Sequence, residues 1–163
     1  MQYIKCLETD RGYAFDSNEY PAYFDTIKNK LPAQARSFAE AEWHYDFKNS
    51  KCPHDSWVEK VIITEPADGE TKADRGLQIK VILLGPYHDG LIELCYFGVY
   101  SYEMRGDLDS AHPRLRRPHG DWLIDEIRLS KDDKVIHEIQ FERASWLIEC
   151  EDLSYKWIPG KPY

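Results

Sequence analysis

The sequence predicts an α+β fold in which N-terminal helices pack on an antiparallel β-meander sheet of about six to eight strands. Three observations carry that expectation. Apolar residues recur at helical spacing between Tyr20 and Leu31, the hydrophobic period changes to two from Trp57 onward, and the breaks between the later segments are rich in turn residues. Consecutive short strands with tight connections and no helices between them pair antiparallel, because parallel pairing needs long crossovers. The 163 residues suit a single domain, 1–163, with a strand and two helices in 1–50 and the sheet in 51–163.

The first element expected is a short strand over 2–8, in which Tyr3, Lys5 and Leu7 alternate with Ile4 and Cys6. A polar break over 9–18 follows. Tyr20, Tyr23, Phe24, Ile27 and Leu31 then stand at i, i+3, i+4, i+7 and i+11, which places five apolar side chains on one face of a helix. Asn18 can cap that helix, and Pro21 falls in its first turn, where a missing N–H is tolerated. Pro32 ends it and opens a second helix with a narrower stripe of Ala35, Phe38, Ala39 and Trp43.

Strands are expected at 57–64, 77–84, 91–103, 122–129, 135–142, 145–150 and 153–158. Turn chemistry separates several of them, at Pro66-Ala67-Asp68-Gly69, at Gly85-Pro86-Tyr87-His88-Asp89-Gly90 and at Ser130-Lys131-Asp132-Asp133. A three-residue loop at 131–133 pairs Leu129 with Val135, Ile127 with His137 and Asp125 with Ile139. A two-residue turn at Arg143-Ala144 pairs Phe141 with Trp146, Ile139 with Ile148 and His137 with Cys150. Both registers keep Leu123, Ile127, Leu129, Val135, Ile139, Phe141, Trp146 and Ile148 on one face, and a slip of one residue would turn a whole strand's apolar set outward.

Lys and Arg number 21 against 29 Asp and Glu, a formal net charge of −8. That balance argues against a nucleic-acid binder and against docking on anionic membranes, both of which need a basic footprint. Five Trp, eleven Tyr and six Phe, with 42% hydrophobic residues, exclude a disordered solvating tail. No apolar run reaches the ~18 residues of a membrane span, and the first residues do not read as a secretory signal. The expected setting is the cytoplasm, with reduced thiols at Cys6, Cys52, Cys95 and Cys150. No Cys-x-x-Cys pair occurs, and Cys52-Pro53-His54-Asp55 stands alone without a second ligand pair, so neither a metal nor another cofactor is expected. Walker A, dinucleotide-binding glycine, Gly-x-Ser-x-Gly and His-Glu-x-x-His patterns are absent from the sequence.

Three sets of residues carry potential chemistry. Asp125, His137 and Cys150 share one face of three adjacent strands, the order of a carboxylate, an imidazole and a thiol nucleophile. That face is otherwise apolar and lies under the helices, so a core histidine bonded to Asp125, with Cys150 as filler, is the preferred reading. His54-Asp55 and His88-Asp89 form a candidate His/Asp site of general-base or hard-metal character if the fold unites them. The third set is the basic run 105–119, whose Arg105, Arg114, Arg116, Arg117 and His119 are candidate anion or ligand contacts. Their ordinary alternative is pairing with the protein's own acids, such as Glu149, Glu151 and Asp152.

The strings HDSW at 54–57, LLGPYHDGLIEL at 83–94, and DWLIDEI, HEIQF and WLIEC between 121 and 150 resemble small bacterial proteins of the toxin-immunity type. The resemblance implies a compact acidic α+β binder. The expected function is a non-catalytic protein-binding module of that antitoxin-like kind, with a basic, toxin-like protein as partner and no catalytic residues. The alternative is a small-molecule-binding or metal-dependent hydrolytic protein using the loop His and Asp residues. A third reading, a subunit of a larger assembly, would expose Tyr96, Tyr100, Tyr102 and Trp122.

Overall fold

The structure, a computed structural model, describes residues 1–10, 12–67, 69–71, 73–106 and 118–160. A hairpin of β1 (Lys5–Thr9) and β2 (Gly12–Asp16) leads into α1 (Tyr20–Ile27) and α2 (Ala33–Ala39). The rest is sheet: β3 (Trp57–Thr64), β4 (Gln78–Leu84), β5 (Gly90–Gly106), β6 (Trp122–Leu129), β7 (Val135–Phe141) and β8 (Ala144–Pro159). These six strands pair antiparallel in the order β3-β4-β5-β8-β7-β6, and β1-β2 form a separate two-stranded sheet. The protein is thus α+β and mostly sheet.

The order departs from a simple meander at β8. The expected pair of strands at 145–150 and 153–158 is one continuous strand, which pairs with β7 through its first half and with β5 along nearly all its length. The two positions between the expected strands, Glu151 and Asp152, stay extended. An acidic pair breaks the apolar alternation without breaking the backbone.

The N-terminal region differs from expectation in four places, the first being that α1 ends at Ile27, so Leu31 lies beyond it and Pro32 does not close it. The polar stretch after Thr9 contains β2, which pairs Phe15 with Cys6 and Tyr13 with Glu8. Residue Glu19 occupies the N-cap of α1 without a side-chain bond, while the amide of Asn18 turns back to Asp16 Oδ1 at 3.2 Å. Helix α2 stops at Ala39, so Trp43 lies beyond it. Its N-terminus is satisfied from outside: Pro32 has no side-chain donor or acceptor, and Asp152 of β8 accepts from the Ala35 amide at 2.9 Å.

The β6–β7 register is the expected one, Leu129↔Val135, Ile127↔His137 and Asp125↔Ile139. The β7–β8 register is offset by two residues, because Glu142-Arg143 makes the turn in place of Arg143-Ala144. His137 therefore faces Ile148, Ile139 faces Trp146, and Cys150 faces Val135. An offset of two leaves every side chain on its own face, so the apolar pattern fits either turn equally well. A bulge between Trp122 and Ile124 makes the other change, pairing Trp122 with Phe141. Trp122 thereby joins the core, whereas Leu123 lies outside the main cluster.

One face of the sheet meets the helices, with Phe38, Leu83, Leu94, Tyr96, Ile127, Ile139, Phe141 and Trp146 all buried. Each such side chain contributes roughly 1.5–3 kcal/mol by leaving water. The outer edge of β6 is closed by side chains rather than by another strand. Tyr20 Oη donates to the Ile127 carbonyl at 3.0 Å and accepts from the Ile127 amide at 3.1 Å. Tyr23 Oη accepts from the Leu129 amide at 3.0 Å, and Tyr45 Oη donates to the Asp125 carbonyl at 3.1 Å. The buried Glu126 carboxylate takes the amides of Gln2, Tyr3 and Ile4 at 3.0, 2.6 and 2.6 Å. It also lies 2.7 Å from Arg128 Nε, in ion-pair rather than hydrogen-bond geometry. Unpaired edges invite other chains, and this one is blocked.

Candidate functional site

Alternation along β6 and β7 puts Asp125 and His137 on the core face, and the register sets them diagonally across the ladder. His137 Nε2 reaches Asp125 Oδ2 at 3.1 Å, as the sequence pattern anticipates. The structure adds three groups that the sequence does not bring to attention. His44, in the turns after α2, places Nε2 2.8 Å from the same Asp125 oxygen. Tyr96 of β5 places its hydroxyl 2.8 Å from His137 Nδ1. Trp122 donates Nε1–H to Asp125 Oδ1 at 3.3 Å. Asp125, His44, His137, Tyr96 and Trp122 are all no more than 2% exposed.

Burial alone would raise the Asp125 pKa, but the charge of His44 and the hydrogen bonds from His137 and His44 outweigh it and hold the carboxyl well below its usual range. An ionised carboxylate only accepts, so both imidazoles carry their proton on Nε2. Desolvation keeps Tyr96 protonated, its pKa far above the ordinary phenol value. The protonated Tyr96 hydroxyl and His137 Nδ1 are therefore hydrogen-bonded partners. This is an assignment from donors and acceptors, and it uses both nitrogens of His137.

Cys150 is consequently not activated. It is buried and faces Val135, and desolvation, with nearby Asp152 and Glu151, pushes its thiol up to about 12. Cys52 is likewise pushed up to about 12, chiefly by burial, and its Sγ–H donates to the His44 carbonyl at 2.9 Å. The arrangement fits the core-histidine reading: a closed chain of donors ending on one carboxylate. Within it, His44 Nδ1 alone has no partner among the described residues.

The candidate His/Asp residues lie in different surroundings. His54 Nδ1 bonds the Leu123 carbonyl at 2.7 Å, its ring stacks on Phe47 at 3.9 Å, and its Nε2 is 3.4 Å from Asp55 Oδ1. Asp55 adopts the left-handed φ of 64. His88, also at positive φ, sets its ring edge-on to Trp57 at 4.4 Å, and the Asp89 carbonyl accepts from the Gly160 amide at 2.9 Å. The structure brings His54 to Asp55, and His88 to Trp57 rather than to that pair. Among the described residues no group of three or more His, Cys, Asp or Glu side chains is placed to hold a metal ion.

Of the basic run, Arg105 is exposed at the end of β5 and pairs with Glu103 on its own strand. His119 is half-buried against Phe141 and Trp146, at 5.7 and 5.3 Å between ring centres, and burial lowers its pKa. Arg114, Arg116 and Arg117 lie outside the described residues. Two of the acids considered as partners for this run are engaged elsewhere, Glu151 with Lys134 at 2.9 Å and Asp152 at the start of α2. Of the four aromatics that would mark an assembly face, Tyr96 and Trp122 are buried, while Tyr100 and Tyr102 are 55% and 45% exposed.

Two concavities lie beside the β7–β8 turn. One, of about 520 Å³, runs between the β1–β2 hairpin and the adjoining ends of β6 and β7. The other, of about 490 Å³, lies between the end of β5 and the turn itself, with Arg105 and Arg143 on its walls. No family model matches this chain, and no curated protein matches it either.

Proposed function

We propose that this protein is a non-catalytic binding module of the immunity, antitoxin-like kind, and that it takes a basic protein as its partner. The observation that carries the reading is where the charge lies. Among the described residues only Asp125 and Glu126 are buried acids, so the surplus behind the net charge of −8 faces solvent. A surface potential of one sign raises association with an oppositely charged partner by roughly 10–10³-fold. Meanwhile the side chains best suited to catalysis, Asp125, His137 and Cys150, are engaged with one another's neighbours or shut away from substrate. A cytoplasmic location belongs to the same reading, and no helix among the described residues is long and apolar enough to cross a membrane.

The second reading, a metal-dependent or small-molecule site, rests on the His54–Asp55 approach of 3.4 Å. One experiment separates the two. The purified protein is assayed for metal by elemental analysis, and its native mass is measured alone and after passage over a cell extract. A stoichiometric complex with a basic protein that dissociates at high salt supports the binding module. A stoichiometric metal that is lost in His54→Ala supports the second reading and overturns the first.

A further inference from the structure

Burial along β5 changes character where β4 stops. From Gly90 to Tyr96 buried and half-buried side chains alternate, whereas Tyr100, Ser101, Tyr102, Glu103, Arg105 and Gly106 are all exposed and Met104 is half-buried. The β4 ladder covers 91–96, and just beyond it the Leu77 carbonyl accepts from the Val99 amide at 2.9 Å. Past that point β5 bonds β8 on one side and, among the described residues, no backbone on the other. The stretch 100–106 is thus an open sheet edge. The edge of β6 is closed by Tyr20, Tyr23 and Tyr45. That of β3 carries a bulge between Val58 and Lys60 and a lysine, two features that discourage pairing. From Ser101 to Gly106, by contrast, β5 runs against β8 with no further shift of register.

Alternation divides this edge between two faces. Tyr102 and Met104 oppose the buried Ile148 and Trp146 and so stand on the core face, yet Tyr102 is 45% exposed. Glu103 and Arg105 oppose Leu147 and Ser145 on the other face and pair with each other along the strand. Tyr100 is drawn aside at the bulge between Val99 and Ser101: its hydroxyl donates to Glu151, and Lys134 Nζ lies 4.8 Å from its ring centre. Gly106 ends the strand, and among the described residues no atom lies within 4 Å of where a Cβ would stand.

This edge is complementary to itself. An antiparallel second copy with Met104 opposite Met104 sets each Glu103 against the Arg105 of the other copy, and each Tyr102 against Gly106. Opposite charges directly across an antiparallel ladder attract, and an aromatic ring opposite an edge glycine covers its bare backbone. The neighbouring registers that keep the faces matched set Glu103 on Glu103 or Arg105 on Arg105, and the intermediate ones turn charges onto the core face. Within 100–106 one Glu and one Arg cancel, so the net charge of −8 is not concentrated here. Charges elsewhere on the surface are screened beyond about 8 Å at physiological salt. We infer that the open edge of β5, residues 102–106, is a dimer interface at which a second copy of this chain adds its own β5 in antiparallel register. A seam this short falls below the roughly 1,200 Å² of stable complexes, so the dimer dissociates on dilution.

Sedimentation velocity of the full chain at physiological salt tests this, from about 10 μM to 1 mM, the range of weak complexes of small area. The parent is expected to pass from monomer to dimer. Glu103→Arg and Arg105→Glu each set two like-charged pairs across the seam and should weaken association about tenfold or more. The double exchange, Glu103→Arg with Arg105→Glu, restores both pairs and should return association to within about threefold of the parent. Both positions are exposed, so urea midpoints should hold in all three variants. Amide exchange of the parent gives a reading that needs no variant: alternate amides within 102–106 should slow as concentration rises, while those of β3 do not. A parent monomeric over the whole range, a dimer indifferent to the single exchanges, a double exchange that fails to recover, or slowing at β3 instead would overturn the inference. Slowing at 102–106 only when a basic protein is added would give this edge to that protein and equally overturn self-pairing.

Discussion

Asp125 is a carboxylate in a dry core, kept ionised by Nε2–H of His44 and His137 and by the Trp122 indole. Removing one member of such a set leaves the others buried and unpaired, so Asp125→Ala is expected to cost about 3–5 kcal/mol in urea unfolding at neutral pH. Tyr96→Phe keeps the ring and strips only the hydroxyl that bonds His137 Nδ1, at an expected cost of about 1–3 kcal/mol. The pH dependence follows from the direction of the Asp125 shift. A carboxyl depressed on folding stabilises fully above its unfolded value, about 3.9, and that contribution is lost as pH falls through the lower folded value. Denaturant midpoints should therefore drop between pH 5 and pH 2, and Asp125→Asn should flatten that drop; an unchanged slope in the variant would exclude Asp125 as its source. Half of this site is legible in the sequence, since alternation and the register of the three-residue loop together set Asp125 beside His137. His44 is not, because it sits in irregular turns where no period applies, and Tyr96 is not, because its reach to His137 depends on the strand order.

At the level of elements, the strands and α1 are legible because burial on one face imposes their period. The β7–β8 turn is not, because Glu142-Arg143 and Arg143-Ala144 serve the same faces, and only the turn geometry chooses between them. The second strand of the N-terminal hairpin, β2, escapes for a different reason: the hairpin is largely exposed, so little burial writes a pattern into it. Two elements depend on remote side chains, and both dependences can be measured. Tyr20→Phe unmakes two hydrogen bonds at the edge of β6 and should cost about 1–3 kcal/mol, with faster amide exchange at Ile127 than elsewhere on the strand. Asp152→Ala withdraws the acceptor from the start of α2 and should cost about 1 kcal/mol. Its amide exchange should quicken at Ala35 while β8 itself stays protected.

Across the whole molecule, the sequence foretells the balance of charge and the α+β architecture, and the structure adds where the charge is placed. Buried acids are confined to Asp125 and Glu126, one facing the histidines and the other holding the N-terminal segment. The remaining acids of the described chain stand at least partly in solvent, where they act over a Debye length of about 8 Å at physiological salt. That arrangement favours fast capture of a basic protein more than tight chemistry with a small molecule. The most direct measurement is the association rate of this protein with its purified basic partner, by stopped flow, between low and high salt. We expect the rate to fall about tenfold or more as salt rises from about 20 to 500 mM, with dissociation much less affected. A rate independent of salt would contradict electrostatic capture and, with it, the proposed function.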